Sequence, residues 1–264
     1  MHPVLTIAKR AALSASRILL RHFDHLERLN VTEKQRNDFV SEADIQAERD
    51  IIQILHKTYP NHSILAEESG VQAGQDDYQW IIDPLDGTIN FLHGIPHFAI
   101  SIAFRHKNRL EAGVVYDPIR QEMFTASRGE GAQINDRRIR VGGVNSLEHA
   151  LLGTGFPFLL PQRQSAYLSF FNSLFGKCVE IRRAGTASLD LSYVASGRLD
   201  GFWEMNLKPW DIGAGVLLVQ EAGGLVSDFS GGNDFMKSGD IIAGNPKVFK
   251  ALLQEIQPHL QGSG

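Results

Sequence analysis

Two acids, Asp83 and Asp86, bracket Pro84-Leu85 at the end of the apolar run Trp80-Ile81-Ile82, and Gly87-Thr88-Ile89-Asn90 follows directly. Pro84 has a fixed φ and no N–H, so the chain between the acids is expected to bend in a tight turn and aim both carboxylates at one point. Carboxylates forced together repel unless a cation lies between them. The oxygen-only set of Asp83, Asp86 and the Leu85 carbonyl suits Mg²⁺ or another oxygen-loving divalent ion better than Zn²⁺. Gly87 lets a ligand approach the backbone closely, and Thr88 to Asn90 open a helix whose free N–H groups favour an anion. The chemistry this pattern predicts is metal and phosphate binding. The plain alternative, a Pro-Asp-Gly surface turn, fits poorly with an eleven-residue arrangement that follows a buried strand.

Further acids stand at comparable places. Ser63-Ile64-Leu65-Ala66 is a second short apolar run, and it ends in Glu67-Glu68-Ser69-Gly70. A solvated acidic loop explains Glu67-Glu68 taken alone; beside the Asp83 to Thr88 stretch, acids from two strand ends can converge on one metal. In Lys208-Pro209-Trp210-Asp211, Pro209 suits the first turn of a helix. Asp211 is then either stabilised by the helix dipole or a further metal ligand, and the spacing does not separate the two. Gly185-Thr186-Ala187-Ser188 is in the same way either a helix cap or a substrate contact. His93 and His97 are four apart, but Gly94 and Pro96 break the helix that metal-ligand spacing would need, so they are read as loop residues.

The elements that must position these residues follow from periodicity. Val4, Ile7, Ala8, Ala11, Ala12, Ala15, Ile18, Leu19 and Leu26 form one helical face from Pro3 to about Leu29. Residues 30 to 38 lose that period and read as a solvated loop able to act as a lid. Ser41 with Asp44 resembles an N-terminal capping arrangement for a helix reaching Tyr59-Pro60, which places Asp44 near that helix's start. Strands are expected at Phe98 to Phe104, Arg109 to Tyr116 and Gln121 to Ala126, joined without helices and therefore antiparallel, and then a solvated basic hairpin from Arg128 to Arg140. Past residue 150 strands and helices alternate: strand 151–155, helix 163–175, strand 178–182, helix 188–196, strand 201–205, a helix after Pro209, strands 225–228 and 241–243, and a last helix from Pro246 to about Ile256. The boundary between an N-terminal α+β half and a C-terminal α/β half is placed near 145, giving 1–145 and 146–264 within one compact unit.

Composition excludes several classes of function. The chain has 264 residues with 43% apolar content, enough for a sizeable core. Its 26 basic against 30 acidic residues leave a net charge of -4, no general reason to expect nucleic acid or an anionic membrane as partner. Cys178 is the single cysteine, so no internal disulfide or cysteine zinc site exists, and it reads as a small buried apolar residue. No signal peptide opens the chain and no run reaches the ~18 apolar residues of a membrane span, so a soluble cytoplasmic protein is expected.

Taken together, Ala66-Glu67-Glu68-Ser69, the Trp80 to Asn90 stretch, Gly185-Thr186-Ala187, and Trp210-Asp211 with Glu221-Ala222-Gly223-Gly224 resemble the inositol monophosphatase family, in its order and over nearly the whole chain. Asn37-Asp38-Phe39-Val40 and Lys208-Pro209-Trp210-Asp211 resemble its bacterial members. The resemblance implies a layered αβαβα sandwich of the α/β class, the type shared with fructose-1,6-bisphosphatase. It implies Mg²⁺-dependent hydrolysis of a small phosphomonoester such as inositol 1-phosphate, sensitivity to Li⁺, and a homodimer. It also makes Glu67, Asp83 and the Leu85 carbonyl ligands of a first Mg²⁺, and Asp83, Asp86 and Asp211 the cage of a second, with a third, weaker ion leaning on Glu67. Thr88, with Asp44 behind it, matches the pair that orients and deprotonates the attacking water. Gly87 and Thr88 supply N–H groups to phosphate, Gly185, Thr186, Ala187 and Glu204 match positions facing the sugar alcohol, and Glu33 to Asp38, with Lys34, matches the mobile loop over the metals. Relatives hydrolyse fructose 1,6-bisphosphate, nucleotide 3'-phosphates or histidinol phosphate, and bacterial relatives are implicated in antitermination complexes with RNA polymerase and Nus factors. Two departures stand out: Ile89 where Thr is common, and Gly213 where Ala is usual, which costs a helix up to ~1 kcal/mol unless close packing requires it.

Overall fold

A computed structural model describes residues 3–35, 38–158 and 161–260. Helix α1 (Pro3–Phe23) buries Val4, Leu5, Ala8, Ala11, Ala12, Ala15 and Leu19 on one face. It ends before Leu29 and passes into a short turn at Leu26–Arg28. The segment expected as a loop is instead a hairpin of β1 (Val31–Gln35) and β2 (Asp38–Ser41), antiparallel with Val31 opposite Ser41 and Glu33 opposite Phe39. Polar sequence does not oppose this, because the two strands pair only with each other and Val31 remains half exposed. Arg36, Asn37 and the Lys34 side chain lie outside the described residues. Helix α2 (Glu42–Thr58) starts on a capping box: the Ala43 N–H donates to the Ser41 hydroxyl, and the Ser41 N–H donates to Asp44.

Strands β3 (His62–Ala66), β4 (Gly70–Gln72) and β5 (Gln75–Asp86) follow, then the short helix α3 (Thr88–Leu92) and strands β6 (Ala99–His106), β7 (Arg109–Asp117), β8 (Glu122–Ser127), β9 (Gly131–Ile134) and β10 (Arg137–Ile139). They form one eight-stranded sheet in the order β10-β9-β8-β7-β6-β5-β3-β4, antiparallel throughout except where β3 runs parallel to β5. The turn expected between Asp83 and Asp86 is a bulge inside β5: Asp83 faces Ser101 and Asp86 faces Ala99, so one residue more is spent on β5 than on β6. A bulge bends its strand and re-aims its side chains, which achieves what the expected turn would.

The rest of the chain gives β11 (Leu151–Thr154), α4 (Gln164–Ser173), β12 (Glu180–Arg182), α5 (Ala187–Ala195), β13 (Gly201–Glu204), α6 (Pro209–Glu221), β14 (Leu225–Ser227), α7 (Phe235–Ser238), β15 (Ile241–Gly244) and α8 (Pro246–Leu260). A second sheet has the order β12-β11-β13-β15-β14, with β11 parallel to both of its neighbours. Besides the β1–β2 hairpin, β4 and the one-turn α7 had no counterpart in the expected elements; both are too short to show a period.

Three buried clusters define the layers. Residues of α1 and α2 pack on one face of the large sheet. Residues of α5 and α6 fill the space between its other face and the second sheet. Residues of α4 and α8 cover the outside of the second sheet. The result is the expected αβαβα sandwich. Gly213 has its packing reason: a Cβ there would meet the Ala103 Cβ of β6 at 3.2 Å.

Candidate active site

The acids arrive on different elements and meet where the two sheets face α5 and α6. Asp83, at the β5 bulge, is 2% exposed and accepts the Leu85 N–H at 3.0 Å. Glu67 follows β3, where its N–H donates to the Ile82 carbonyl at 3.1 Å, and its carboxyl is hydrogen-bonded to Asp83. Asp86 meets the start of α5, accepting the Ser188 N–H at 2.7 Å. Asp211 accepts the Lys208 N–H at 2.7 Å in the first turn of α6. Asp211 therefore caps the start of its helix, and its charge also bears on Asp83.

Crowding shows in the electrostatics. Burial pushes the Asp83 carboxyl well above the usual range, and the charges of Glu67, Asp86 and Asp211 push it further. Burial raises Asp86 to about 6 against the pull of the Ser188 hydroxyl and of the Ser188 and Ala187 N–H groups. Burial and the charge of Asp86 raise Asp211 to about 7 against the Lys208 N–H and ammonium. Among the described residues no three His, Cys, Asp or Glu side chains are closed into a cation cage as they stand. The set converges without closing, because its oxygens are taken up by backbone donors and by the Glu67–Asp83 hydrogen bond. Its chemistry fits a hard divalent ion: all donors are oxygen, and a cation would offset the burial and like-charge repulsion that raise these acids.

Thr88 and Asp44 are brought together as expected. The Thr88 hydroxyl lies 3.0 Å from the Leu85 carbonyl and 3.3 Å from Asp44 Oδ1, and its one hydrogen can serve either acceptor. Asp44 is fully buried, and its other oxygen is held by the Ser41 N–H and hydroxyl.

Gly87 sits at φ 95, a conformation a Cβ would strain, and that Cβ would stand 2.6 Å from the Thr186 hydroxyl. Thr186 is 1% exposed and donates to the His97 carbonyl at 3.2 Å, so its side chain is spent on joining the two parts of the chain. Gly185 precedes it, Ala187 opens α5, and Glu204 stands half-buried at the end of β13.

Three contributors escape the sequence pattern. Glu48, 2% exposed, accepts the N–H groups of Glu68 and Ser69 at 2.8 Å each and so fixes the turn that carries Glu67. Its signal is an acid one turn beyond Asp44 on the otherwise apolar face of α2. Asn90 donates to the His97 and Ala184 carbonyls at 2.9 Å each, tying α3 to the Gly185 loop. Asp190, buried in the first turn of α5, had no local signal, since an acid near a helix start is expected for the helix alone.

Known proteins are similar to this chain over nearly its whole length. The Nus factor SuhB of Pseudomonas aeruginosa is 57% identical over 100% of this chain and 99% of its own. The crystal structure of the extragenic suppressor protein suhB from Bartonella henselae superimposes with a TM-score of 0.94 at 46% identity, covering 96% of this chain and 98% of that one. The inositol monophosphatase of Anabaena does so with a TM-score of 0.86 at 36% identity, over 97% and 95%. Residues 1–261 match the Inositol monophosphatase family, and with these relatives and the layered fold around the converging acids, the chain belongs to that family.

Proposed function

We propose that this protein is a Mg²⁺-dependent phosphomonoesterase that hydrolyses inositol 1-phosphate to inositol and phosphate. The observation that carries the reading is the convergence of Glu67, Asp83, Asp86 and Asp211 beside the Thr88–Asp44 pair. Glu67, Asp83 and the Leu85 carbonyl would hold one ion, Asp83, Asp86 and Asp211 a second, and Glu67 would lean toward a third. When bound, such ions neutralise a phosphate dianion and lower the pKa of water from ~16 toward ~7. Thr88 orients the attacking water by accepting its hydrogen while passing its own toward Asp44. The Gly87 and Thr88 N–H groups receive phosphate, and Gly185, Thr186, Ala187 and Glu204 border the alcohol. No His or Cys nucleophile is required. The homodimer implied by the resemblance and the cytoplasmic location expected from the sequence belong to the same proposal.

Purified protein with Mg²⁺ is expected to release phosphate from inositol 1-phosphate, to lose that activity in EDTA, and to be inhibited by Li⁺. Asp86→Asn removes a ligand at nearly constant volume, so kcat is expected to fall by about a hundredfold or more while the melting temperature holds. Absence of turnover above the metal-only background rejects the reading. A panel with fructose 1,6-bisphosphate, a nucleotide 3'-phosphate and histidinol phosphate identifies the preferred ester.

A second reading rests on the name of the relatives, Nus factor SuhB. We propose contact with Nus factors and RNA polymerase as a further role, supported on the surface by the exposed Arg137, Arg138 and Arg140. A pull-down with wild type and Asp83→Asn is expected to recover the same partners from both; recovery of none rejects this role.

A further inference from the structure

The net charge of -4 hides an uneven distribution. Helix α1 contains no acid, and its exposed Arg10, Arg17 and Arg21 follow the helical repeat as one outward stripe, with half-buried Ser14 between the first two. Helix α2 repeats the pattern with Arg49, Gln53 and Lys57, all exposed and on one face. His22 Nε2 lies 3.1 Å from Gln46 Oε1, so the end of α1 meets the start of α2, and the helices lie side by side in opposite senses on the large sheet. Their outer faces make one surface, about 16 Å long from Arg10 to Arg21 at a rise of ~1.5 Å per residue.

None of Arg10, Arg17, Arg21, Arg49 and Lys57 has an ion pair or hydrogen bond among the described residues. Elsewhere on the surface, Arg109 pairs with Glu111 at 2.6 Å, Arg163 with Asp240 at 2.7 Å and Lys177 with Glu255 at 2.8 Å. Lys9, beside Arg10, is spent on Asp136 at 2.8 Å. The acids of α2 leave the surface basic: Asp44 and Glu48 are buried, Asp50 is half-buried, and exposed Glu42 accepts the Gln46 amide at 2.6 Å.

We propose that this α1–α2 face binds the phosphate backbone of double-stranded RNA. Unpaired cations at regular spacing fit a polyanion, and the arginine fork matches phosphate oxygens. A protein partner needs an apolar centre to its footprint, but Leu13, 41% exposed, is the one large apolar side chain exposed on these helices. Neither helix exposes an aromatic ring, so unpaired bases have nothing to stack on, which disfavours a single strand. Both helices lie flat on the sheet, so neither stands free to enter the major groove of DNA. The minor groove of an RNA duplex is wide, shallow and lined by 2'-hydroxyls, and Ser14 and Gln53, set among the cations, carry both the donor and the acceptor that a hydroxyl needs. The role uses none of the residues assigned to the phosphatase, so the two stand or fall separately.

Fluorescence anisotropy with an RNA duplex of about 20 base pairs, titrated between about 50 and 200 mM KCl, tests the proposal. The variants are Arg10→Gln/Arg17→Gln/Arg21→Gln, Arg49→Gln/Lys57→Gln, and a control, Lys177→Gln/Lys247→Gln/Lys250→Gln, that removes exposed charge from the region of α4 and α8 on the far side. Thermal melts establish that each is folded. Wild-type affinity is expected to fall about a hundredfold or more across that salt range. At the lower salt the α1 variant is expected to bind about tenfold or more weakly with a shallower salt slope, the α2 variant severalfold more weakly, and the control within about twofold of wild type. Absence of binding by wild type at the lower salt, or equal losses in the α1 variant and the control, overturns the proposal. Equal or tighter binding of a DNA duplex of the same sequence, of polyglutamate, or of phosphatidylglycerol vesicles also overturns it, and assigns the face to DNA, an acidic protein or a membrane respectively.

Discussion

His62 shows how one side chain ties stability to pH. Its ring stacks between Tyr59 and Tyr78, and the Trp80 indole N–H donates to its Nδ1 at 3.1 Å, so that nitrogen must stay unprotonated. Burial, with the nearby charge of His56, pushes the ring below its ordinary pKa. The sign follows: the unfolded chain takes up a proton that the folded ring refuses, so stability is complete above the ordinary histidine value of ~6.5 and declines as pH falls below it. Urea midpoints at pH 7.5 and 5.5 are expected to drop more in wild type than in His62→Phe, and equal drops refute the assignment. At this scale the site was largely legible. Asp83, Asp86 and Glu67 announce themselves by following apolar runs, whereas Glu48 does not, because its partners are the Glu68 and Ser69 N–H groups of a separate turn.

Helix α2 is the element on which the site leans hardest, since it presents Asp44 to Thr88 and Glu48 to the turn after Glu67. Both depend on how the helix starts. Ser41→Ala removes the acceptor of the Ala43 N–H and a donor to Asp44, and it is expected to cost about 1 kcal/mol of stability. Because Asp44 is then held by fewer donors, kcat for the phosphomonoester is expected to fall as well. Thermal melts and initial rates check the two effects separately; a stability loss with unchanged kcat would sever the cap from the chemistry. The helices were readable because 3.6-residue periodicity over a dozen or more residues is a strong local signal. The β1–β2 hairpin and the β5 bulge were not, because pairing with a neighbouring strand leaves little trace in a short polar or fully buried segment.

Across the whole molecule, α6 joins packing to the proposed site, lying between the sheets while carrying Asp211 at its first turn. Its contact with β7 is close: a Cβ on Gly113 would stand 3.1 Å from the Ala214 Cα and carbonyl oxygen. Gly113→Val is expected to push the helix off the sheet, cost about 1–3 kcal/mol, and lower activity by displacing Asp211. A urea titration with a parallel phosphate-release assay checks both, and unchanged stability would show that the interface has slack. The helix positions and the candidacy of Glu67, Asp83 and Asp86 could be read from the linear chain, because apolar period and the acids after each apolar run are local properties; the layered αβαβα class and the role of Asp211 came through the family resemblance. The approach of Asp211 to Asp83 and the spending of Thr186 on the Gly87 turn could not. They arise when two sheets close on α5 and α6, and burial, which raises the cost of every unpaired charge, exists only once that closure has excluded water.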